Sequence, residues 1–313
     1  MKKNILLLSL FYLLFCNTGF SQNITIKGKI QKPIVNSQSS ESESLVRLLT
    51  FNDMLTLEQT KIFETKADNE GNFTIEANID EITLAQIAVD LERADILLKP
   101  NATYEVEINI PEQDANSSYF ERQSPTIKII KADDDNLYYQ YHMSEMIIDD
   151  FLLNNFNQLY RGRNISLLDN IDIEIANNLG EIKSDFVKDN IRYRKAAMQM
   201  IANNDNGKKV ISQHFNKNDI LYSQPAYMNL FQEAFANYLS SNQFPPSELR
   251  YKIYSDTDTF LKFIKDNDAF LAENHDLAEI IIAWDLKRLY YEMPDDKVQI
   301  IKHINNIAQN SKN

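Results

Sequence analysis

The stretch ADNEGNFTIEA, residues 67–77, gathers acidic and amide side chains just ahead of an alternating apolar run. An EF-hand calcium loop would need oxygen ligands at loop positions 1, 3, 5 and 12 and a glycine at position 6. Counted from Asp68, the third residue is Glu70, and the glycine comes fourth, as Gly71. The spacing therefore excludes an EF-hand. It predicts a β-hairpin turn in which Gly71 adopts positive φ and Phe73 begins the inward face of the next strand.

Histidine is a frequent ligand of catalytic zinc, and this chain has four. His142 is followed three positions later by Glu145, so both side chains would share one face of a helix. A catalytic zinc site normally uses three protein ligands, and no HExxH motif completes this pair. His214, His275 and His303 are isolated in the sequence. We therefore predict no metal site and no cofactor, and we expect the histidines on helix surfaces or partly buried.

Carboxylates are abundant, and some are adjacent, as in the pairs 149–150 and 295–296. General acid-base catalysis requires two carboxylates held across a cleft, which adjacency in sequence does not provide. The chain also lacks a GxSxG elbow, a P-loop and a GxGxxG motif, and it has only six glycines. The sequence thus predicts no catalytic residue. A hydrolase that uses acidic residues in a cleft between domains is the alternative.

Aromatic residues are a second surplus, with 15 Tyr and 17 Phe against one Trp. In PAYMNLFQEAFANYL, residues 225–239, they recur at helical spacing, which predicts a buried stripe. Tyrosines just after an acidic run are less regular, and there we predict an exposed aromatic and acidic patch as a candidate binding surface. This candidate patch comprises Asp133, Asp134, Asp135, Tyr138, Tyr141 and His142.

The N-terminus has the pattern of a secretory signal peptide. Lys2 and Lys3 precede an apolar stretch at 5–15 that is too short to span a bilayer as a stable anchor. Gly19 and Ser21 supply the small residues that signal peptidase requires before a cleavage site. The pattern predicts a signal peptide over residues 1–21, and no transmembrane span after its removal.

A lipoprotein signal at Cys16 is the alternative, although the bulky Phe15 before it disfavours lipidation. Either route predicts an exported protein, located in the periplasm or at the outer membrane. Cys16 is the only cysteine, so cleavage after Ser21 would leave a chain without one. Disulfides, thiolate nucleophiles and cysteine metal sites are then excluded.

The chain is acidic, with 45 Asp and Glu residues against 32 Lys and Arg residues. Loss of Lys2 and Lys3 with the signal peptide would lower the formal net charge from −13 to −15. This charge repels phosphates, and the basic residues are not clustered. We therefore expect no nucleic acid partner.

The pattern of elements predicts an α+β fold with two domains. Residues 22–112 carry short strands between turn residues, which is typical of an antiparallel β-sandwich. Seven strands are predicted, at 24–30, 45–51, 59–66, 72–77, 82–89, 94–99 and 103–110. The segment 82–94 could instead be helical.

Polar residues without a period make 113–132 the predicted linker, in which IKII at 127–130 could form one last strand. Residues 133–313 form the predicted all-α domain. Its first helix is predicted to follow the acidic run 133–135 and to reach about residue 160. Residues 171–187 and 189–202 are predicted as two helices or one bent one, and further helices are predicted at 207–215, 225–239, 247–254, 256–270, 275–292 and 295–309.

Two stretches of the first domain, ADNEGNF and LLKPNATYEVEI (97–108), resemble the N-terminal sandwich of exported Bacteroidetes proteins. Two stretches of the second, FVKDNIRYRKAAM (186–198) and ILYSQPAYMNLFQEAFANYL (220–239), resemble the helical region that follows it in thioredoxin-like, TlpA/ResA-type proteins. In that family a thioredoxin domain with a C-x-x-C motif comes next. The resemblance covers nearly all of the chain after residue 21 but none of that catalytic motif.

The resemblance implies a fold and a compartment, together with a binding or positioning role. From it we expect a non-catalytic exported cell-envelope protein that binds a partner protein or an envelope ligand. The alternative is a component of a thiol-disulfide oxidoreductase whose C-x-x-C domain is missing or separately encoded.

Overall fold

The structure is a computed structural model, and it describes residues 23–31, 44–111, 124–202, 207–240, 244 and 246–310. Within these ranges eight strands are followed by ten α-helices, which confirms the predicted α+β fold. The chain divides into two compact units, and the division falls after Tyr139. The short segment Asp53–Thr56 belongs with the helical unit. The predicted signal peptide with Cys16, and residues 112–123 of the predicted sandwich end and linker, lie outside the described residues.

The first unit contains two four-stranded sheets. In the order of pairing they are β4-β1-β7-β8 and β3-β2-β5-β6. The strands are β1 (Asn23–Gln31), β2 (Leu45–Phe51), β3 (Gln59–Lys66), β4 (Asn72–Asn78), β5 (Thr83–Val89), β6 (Glu92–Leu98), β7 (Thr103–Asn109) and β8 (Thr126–Ala132).

Two features of these sheets bear on the sequence prediction. The eighth strand, β8, confirms the alternative in which IKII at 127–130 forms one last strand, and it pairs antiparallel with β7 in the second half of the predicted linker. In addition, β1 and β7 pair in parallel, with Ile26 opposite Tyr104. The sheets are therefore not wholly antiparallel. Alternation in a sequence indicates which face of a strand is buried, but it carries no information about the direction of a neighbour.

Alternate residues of the strands supply one hydrophobic cluster. Ile24 and Ile26 of β1 are fully buried, as are Leu48 of β2 and Tyr104 of β7. Burial raises the pKa of the Tyr104 phenol, and its oxygen accepts a hydrogen bond from the backbone N–H of Lys99 at 2.8 Å. The one polar atom of this large side chain is thereby satisfied inside the core.

The stretch at 67–77 forms a turn, but the turn does not close a hairpin. It joins β3 of one sheet to β4 of the other, and β4 pairs with β1. The Asp68 carboxylate accepts hydrogen bonds from the backbone N–H groups of Glu70 and Asn72, at 2.9 and 2.8 Å. Gly71 has a φ of 83° and packs against the backbone of β1. The prediction of positive φ is confirmed, and the carboxylate of Asp68 is occupied by backbone donors.

Residues 82–94 contain β5, a turn and the start of β6, so the helical alternative is wrong. β5 and β6 pair antiparallel around a turn in which Asp90 has a φ of 56°. The Asp90 carboxylate accepts a hydrogen bond from the backbone N–H of Leu45 at 2.9 Å, while its own N–H donates to the Leu45 carbonyl at 2.8 Å. Pairing with β2 thus outweighs the local helical tendency of this stretch.

In the part of the chain that the structure describes, helices are the only regular secondary structure of the second unit, as predicted. Its α-helices are α1 (Leu137–Phe156), α2 (Asp169–Leu179), α3 (Asp185–Ala202), α4 (Gly207–Phe215), α5 (Pro225–Ala234), α6 (Pro246–Ile253), α7 (Thr257–Asn267), α8 (Ala269–Glu273), α9 (His275–Glu292) and α10 (Lys297–Asn310). The first turn of α1 is assigned to the sandwich unit. The aromatic stripe on α5 is buried, with Tyr227, Leu230 and Phe231 fully inaccessible, so its assignment to the core is confirmed.

The region 256–270, predicted as one helix, contains the N-termini of two helices, and an aspartate caps each of them. The Asp256 carboxylate accepts from the N–H of Thr259 at 2.9 Å, and that of Asp268 accepts from the N–H of Leu271 at 3.0 Å. Each is an N-cap. The cap at Asp268 divides the predicted helix into α7 and α8.

Gly28 in β1 provides a test of sandwich packing. It lies opposite Phe73 of β4, and a Cβ on Gly28 would lie 2.0 Å from the Phe73 ring. We expect Gly28→Ala to lower the free energy of unfolding by about 1–3 kcal/mol through overpacking, measured by urea denaturation. Adding Phe73→Leu should restore part of the loss. Gly207→Ala, where the Cβ meets no atom within 4 Å, is the control. Equal effects of the two alanine variants would contradict this packing.

Candidate functional site

The helical unit contains a cleft of about 640 Å³. Its walls are α2 and α3, with the end of α4 and the 3-10 turn Ile165–Leu168 completing the lining. The volume lies within the range of small-molecule sites, for which about 300–1,000 Å³ is typical. This cleft is our candidate functional site.

Aliphatic side chains form the floor of the cleft. Ile175 of α2 and Ile191 of α3 are buried, and Leu168 precedes α2. Ala176 and Ala196 leave space between the two helices. These buried side chains expose little surface, so an apolar ligand would gain mainly by removing its own apolar surface from water, which is favourable by roughly 25 cal/mol for each Å² buried.

Three cationic side chains lie along the wall formed by α3. Lys188, Arg192 and Lys195 are spaced at i, i+4 and i+7, so they lie in one stripe of the helix surface. Lys195 bonds to the Asp172 carboxylate of α2 and so ties the two walls together. With Asp169, the lining has three cations and two carboxylates. It is cationic by one charge in a chain whose formal net charge is −13.

Arg192 is oriented by its neighbour on the helix. Its guanidinium carbon lies 4.4 Å from the centre of the Tyr193 ring, a cation–π contact, and it also donates to the Tyr193 hydroxyl. The nearest carboxylate, that of Asp189, is 3.5 Å away, and half of the Arg192 side chain remains exposed. Arg192 is therefore positioned beside the cleft, with about half of its side chain open to solvent.

His214, at the end of α4, lies beneath this stripe. The side chain is 6% exposed, and its ring packs edge-on against Tyr193 with 5.7 Å between ring centres. Burial lowers the pKa of His214, and the charge of Arg192 lowers it further, so the imidazole is neutral at pH 7. It presents one donor and one acceptor nitrogen to a site that also exposes cations.

The acidic part of the predicted patch has three different environments. Asp133 is exposed. Asp134 is only 2% exposed, because its carboxylate lies at the N-terminus of α1 and accepts a hydrogen bond from the backbone N–H of Tyr138 at 3.0 Å. Asp135 is exposed and forms an ion pair with Lys99. The exposed patch therefore does not include Asp134, whose carboxylate faces a helix N-terminus.

The other members of the patch are distributed between the two units. Tyr138, in the sandwich unit, is half-buried against the sandwich core, and burial raises the pKa of its phenol. Tyr141, in the helical unit, is half-buried, and its ring centre lies 6.0 Å from that of Phe186. His142 is exposed, while Glu145 accepts from the side-chain amide of Asn190 at 2.7 Å. A binding role for the patch stays a prediction.

Three carboxyl groups of the helical unit have a raised pKa, and burial is the main cause in each. A neighbouring arginine partly offsets the effect of burial. The pairs are Asp189 with Arg192, Glu233 with Arg194 and Asp285 with Arg288. Structural ion pairs also perturb pKa values, so the shifts assign no acid or base.

Sequence reasoning missed the cleft because no local motif marks it. Its cations lie within FVKDNIRYRKAAM, a stretch from which only a family resemblance was inferred. Their spacing of four and three residues was a usable signal for a charged stripe. The apolar floor comes from other segments, and only the packing of α2 on α3 brings it beneath the cations.

Comparisons with protein-family models, curated proteins and solved structures find no match. Among the described residues, no helix has the length and apolar character needed to cross a membrane. Within the same ranges, no group of three or more His, Cys, Asp and Glu side chains is arranged to hold a metal ion.

His303 of α10 is a second buried histidine, and its hydrogen bonds define its tautomer. Nε2 lies 2.8 Å from the Ile253 carbonyl, which can only accept, so Nε2 carries the proton. Nδ1 then accepts from the Thr257 hydroxyl at 3.0 Å. The ring is fully buried and stacks on Phe260 at 4.7 Å between centres. Burial is the main cause of its lowered pKa.

This environment predicts acid sensitivity. Because the pKa of His303 in the folded state is below its ordinary value of 6.5, the unfolded chain takes up the proton first as the pH falls. The stabilisation is complete above pH 6.5 and is lost as the pH falls towards the folded-state pKa. The slope from one such group is at most about 1.4 kcal/mol per pH unit. Urea denaturation at several pH values should show a shallower slope for His303→Asn.

The lowered pKa of His214 also makes the free energy of unfolding decrease as the pH falls. His303→Asn should therefore remove only part of the slope of the free energy of unfolding between pH 7.5 and 5.5. His142→Gln changes an exposed histidine and is the control. An identical slope for wild type and His303→Asn would show that His303 is not held neutral by its burial.

Proposed function

We propose that this chain is a non-catalytic exported cell-envelope protein whose helical unit binds a small amphipathic ligand carrying negative charge. The observation that carries the proposal is the cleft between α2 and α3, which places an apolar floor beneath the cationic stripe of Lys188, Arg192 and Lys195. An acyl or aromatic body would occupy the floor, and a carboxylate or phosphate would face the stripe.

The electrostatics of the stripe favour an anion. Arg192 offers planar donors suited to two-point contact with a carboxylate or phosphate. Its distance of 3.5 Å from Asp189 leaves donors available to a ligand. Lys188 pairs with an exposed carboxylate, that of Asp185, at 3.0 Å. Exposed pairs of this kind contribute little, about 0–1 kcal/mol, so a ligand anion can compete with Asp185.

The lining supports binding more than catalysis. It contains no hydroxyl or thiol side chain that His214 could activate as a nucleophile. Its two carboxylates, Asp169 and Asp172, lie one turn apart on the same helix and so do not face each other across the cleft. Asp172 is also paired with Lys195.

Export is supported by the N-terminal sequence, with basic residues, a short apolar stretch and small residues before Gln22. The resemblance to the non-catalytic part of exported thioredoxin-like proteins supports the same compartment. A binding role in the envelope is consistent with a chain whose only cysteine is Cys16.

Blocking the cleft should abolish ligand binding. We expect 1-anilinonaphthalene-8-sulfonate, an anionic apolar dye, to bind wild type with a saturable rise in fluorescence. Ala176→Trp should fill the cleft from α2 and weaken binding at least about tenfold, which corresponds to 1.4 kcal/mol. Asn177→Trp introduces the same side chain one position along α2, outside the lining, and should bind as wild type does.

A second dye separates the two parts of the site. N-phenyl-1-naphthylamine has a similar body without the negative charge. Arg192→Gln should weaken binding of the anionic dye only, whereas Lys183→Gln, an exposed cation outside the lining, should weaken neither. Equal dye binding by wild type and Ala176→Trp would contradict the site. Equal effects of Arg192→Gln on both dyes would contradict the preference for anions.

Processing of the N-terminus tests export. We expect the protein recovered from the periplasm of a Gram-negative host to begin at Gln22, as determined by N-terminal sequencing. Cys16→Ala should leave processing and location unchanged, because cleavage removes that residue. A mature chain that begins at a lipid-bearing Cys16 would support the lipoprotein route instead. Retention of the uncleaved chain in the cytoplasm would contradict export.

A further inference from the structure

A second cleft, of about 350 Å³, lies between α9 and the end of α5. Trp284, Lys287, Arg288 and Tyr291 are spaced at i, i+3, i+4 and i+7, so they share one face of α9. Gln232 of α5, with Ala236 and Asn237 beyond its end, lines the opposite side. This cleft shares no lining residue with the cleft of α2 and α3.

Arg288 is held rigidly in this cleft by carboxylates. Its guanidinium bonds to Asp285, with 2.7 Å between Nε and Oδ1, and to the carboxylate of Glu292. Asp285 is 1% exposed and also accepts from the backbone N–H of Leu239. The buried acid and the arginine therefore neutralise each other and fix the shape of the cleft, so they add little net charge.

Apart from Lys287, the remaining polar groups of the lining are neutral and available. Among the described residues, the side-chain amides of Gln232 and Asn237 and the indole N–H of Trp284 have no hydrogen-bond partner. Each amide offers two donors and an acceptor, which matches the paired hydroxyl groups of a polyol. The combination favours a neutral, hydroxyl-bearing ligand.

Two aromatic rings provide flat surfaces beside these amides. Tyr291 is 73% exposed, and its ring packs edge-on against Tyr290 with 5.2 Å between centres. Lys287 lies over the Trp284 ring, with its ammonium 4.8 Å from the ring centre. This positive charge opposes a cationic ligand at the ring, whereas the exposed, flexible lysine can move aside for an uncharged one. The C–H face of a sugar ring is flat, apolar and uncharged.

We propose that the cleft between α9 and α5 is a saccharide-binding site. The rings of Trp284 and Tyr291 stack on the sugar face, and the amides of Gln232 and Asn237 bond to its hydroxyl groups. Arg288, whose three nitrogens already donate to Asp285, Glu292 and Ser240, fixes the shape of the edge of the cleft. At about 350 Å³ the cleft is near the small end of ligand sites, which suits one or two sugar rings.

Trp284 is the only tryptophan of the chain, so its fluorescence reports directly on this cleft. Maltose, cellobiose, lactose and N,N′-diacetylchitobiose are the probes, titrated into the full chain with parallel calorimetry. We expect at least one disaccharide to give a saturable change in Trp284 emission and a matching heat of binding. Tyr291→Ala, and Asn237→Gly, in which glycine retains the φ of 57°, should each weaken that binding about tenfold.

Tyr251→Ala is the matched control, because Tyr251 is equally exposed, at 75%, and lies outside the cleft. It should bind as wild type does. Thermal unfolding monitored by circular dichroism verifies that each variant folds. Absence of both an emission change and a heat for all four sugars would overturn the proposal. So would a saccharide affinity unchanged by Tyr291→Ala and Asn237→Gly, or binding of choline without any saccharide.

Discussion

Packing of the aromatic face of α5 against α3 and α4 is the interaction on which both clefts depend. The ring of Tyr227 lies edge-on to Tyr193 at 5.0 Å between centres and near Phe215 at 5.1 Å. Phe215 also lies 5.1 Å from Phe235. Such contacts contribute about 0.5–1.5 kcal/mol each beyond the area that they bury. They fix α3 with its cationic stripe beside the first cleft and α5 with Gln232 facing the second.

The same aromatic core also determines which polar groups near it are buried and uncharged and which carry charge at the surface. The hydroxyl of Tyr227 is fully buried, and it has no hydrogen-bond partner among the described residues. His214 contacts the same cluster through Tyr193 and is kept neutral mainly by its burial. A large aromatic core with few polar groups has a low local dielectric, which disfavours charge inside and strengthens interactions at its edge. The charges of α3 consequently lie at the surface, where a ligand can reach them.

The sequence predicted elements better than it predicted their partners. Alternation located the strands of the sandwich and the inward positions of Phe73 and Ile75, and helical spacing located the stripe on α5. The parallel pairing of β1 with β7 joins segments about 80 residues apart in the chain, and no local pattern encodes such a contact. The residues around Gly71 were enough to predict the turn. They did not predict that β4, the strand after the turn, pairs with β1 and so belongs to the other sheet.

Candidate sites were also predicted incompletely from the sequence, but for a different physical reason. The type of a residue does not reveal whether its polar atoms are already satisfied, and Asp134 is buried because a helix N-terminus takes up its carboxylate. The opposite error arises at the Trp284 cleft, where Gln232 and Asn237 resemble ordinary surface amides in the sequence although they line a candidate site. What distinguishes them is that the buried pair of Asp285 and Arg288 satisfies its own charges and leaves these two amides available to a ligand. The first cleft instead has a stripe of three cations along α3, and the exposed ion pair of Lys188 there is weak enough for a ligand anion to replace, so the two clefts should select ligands of different chemistry.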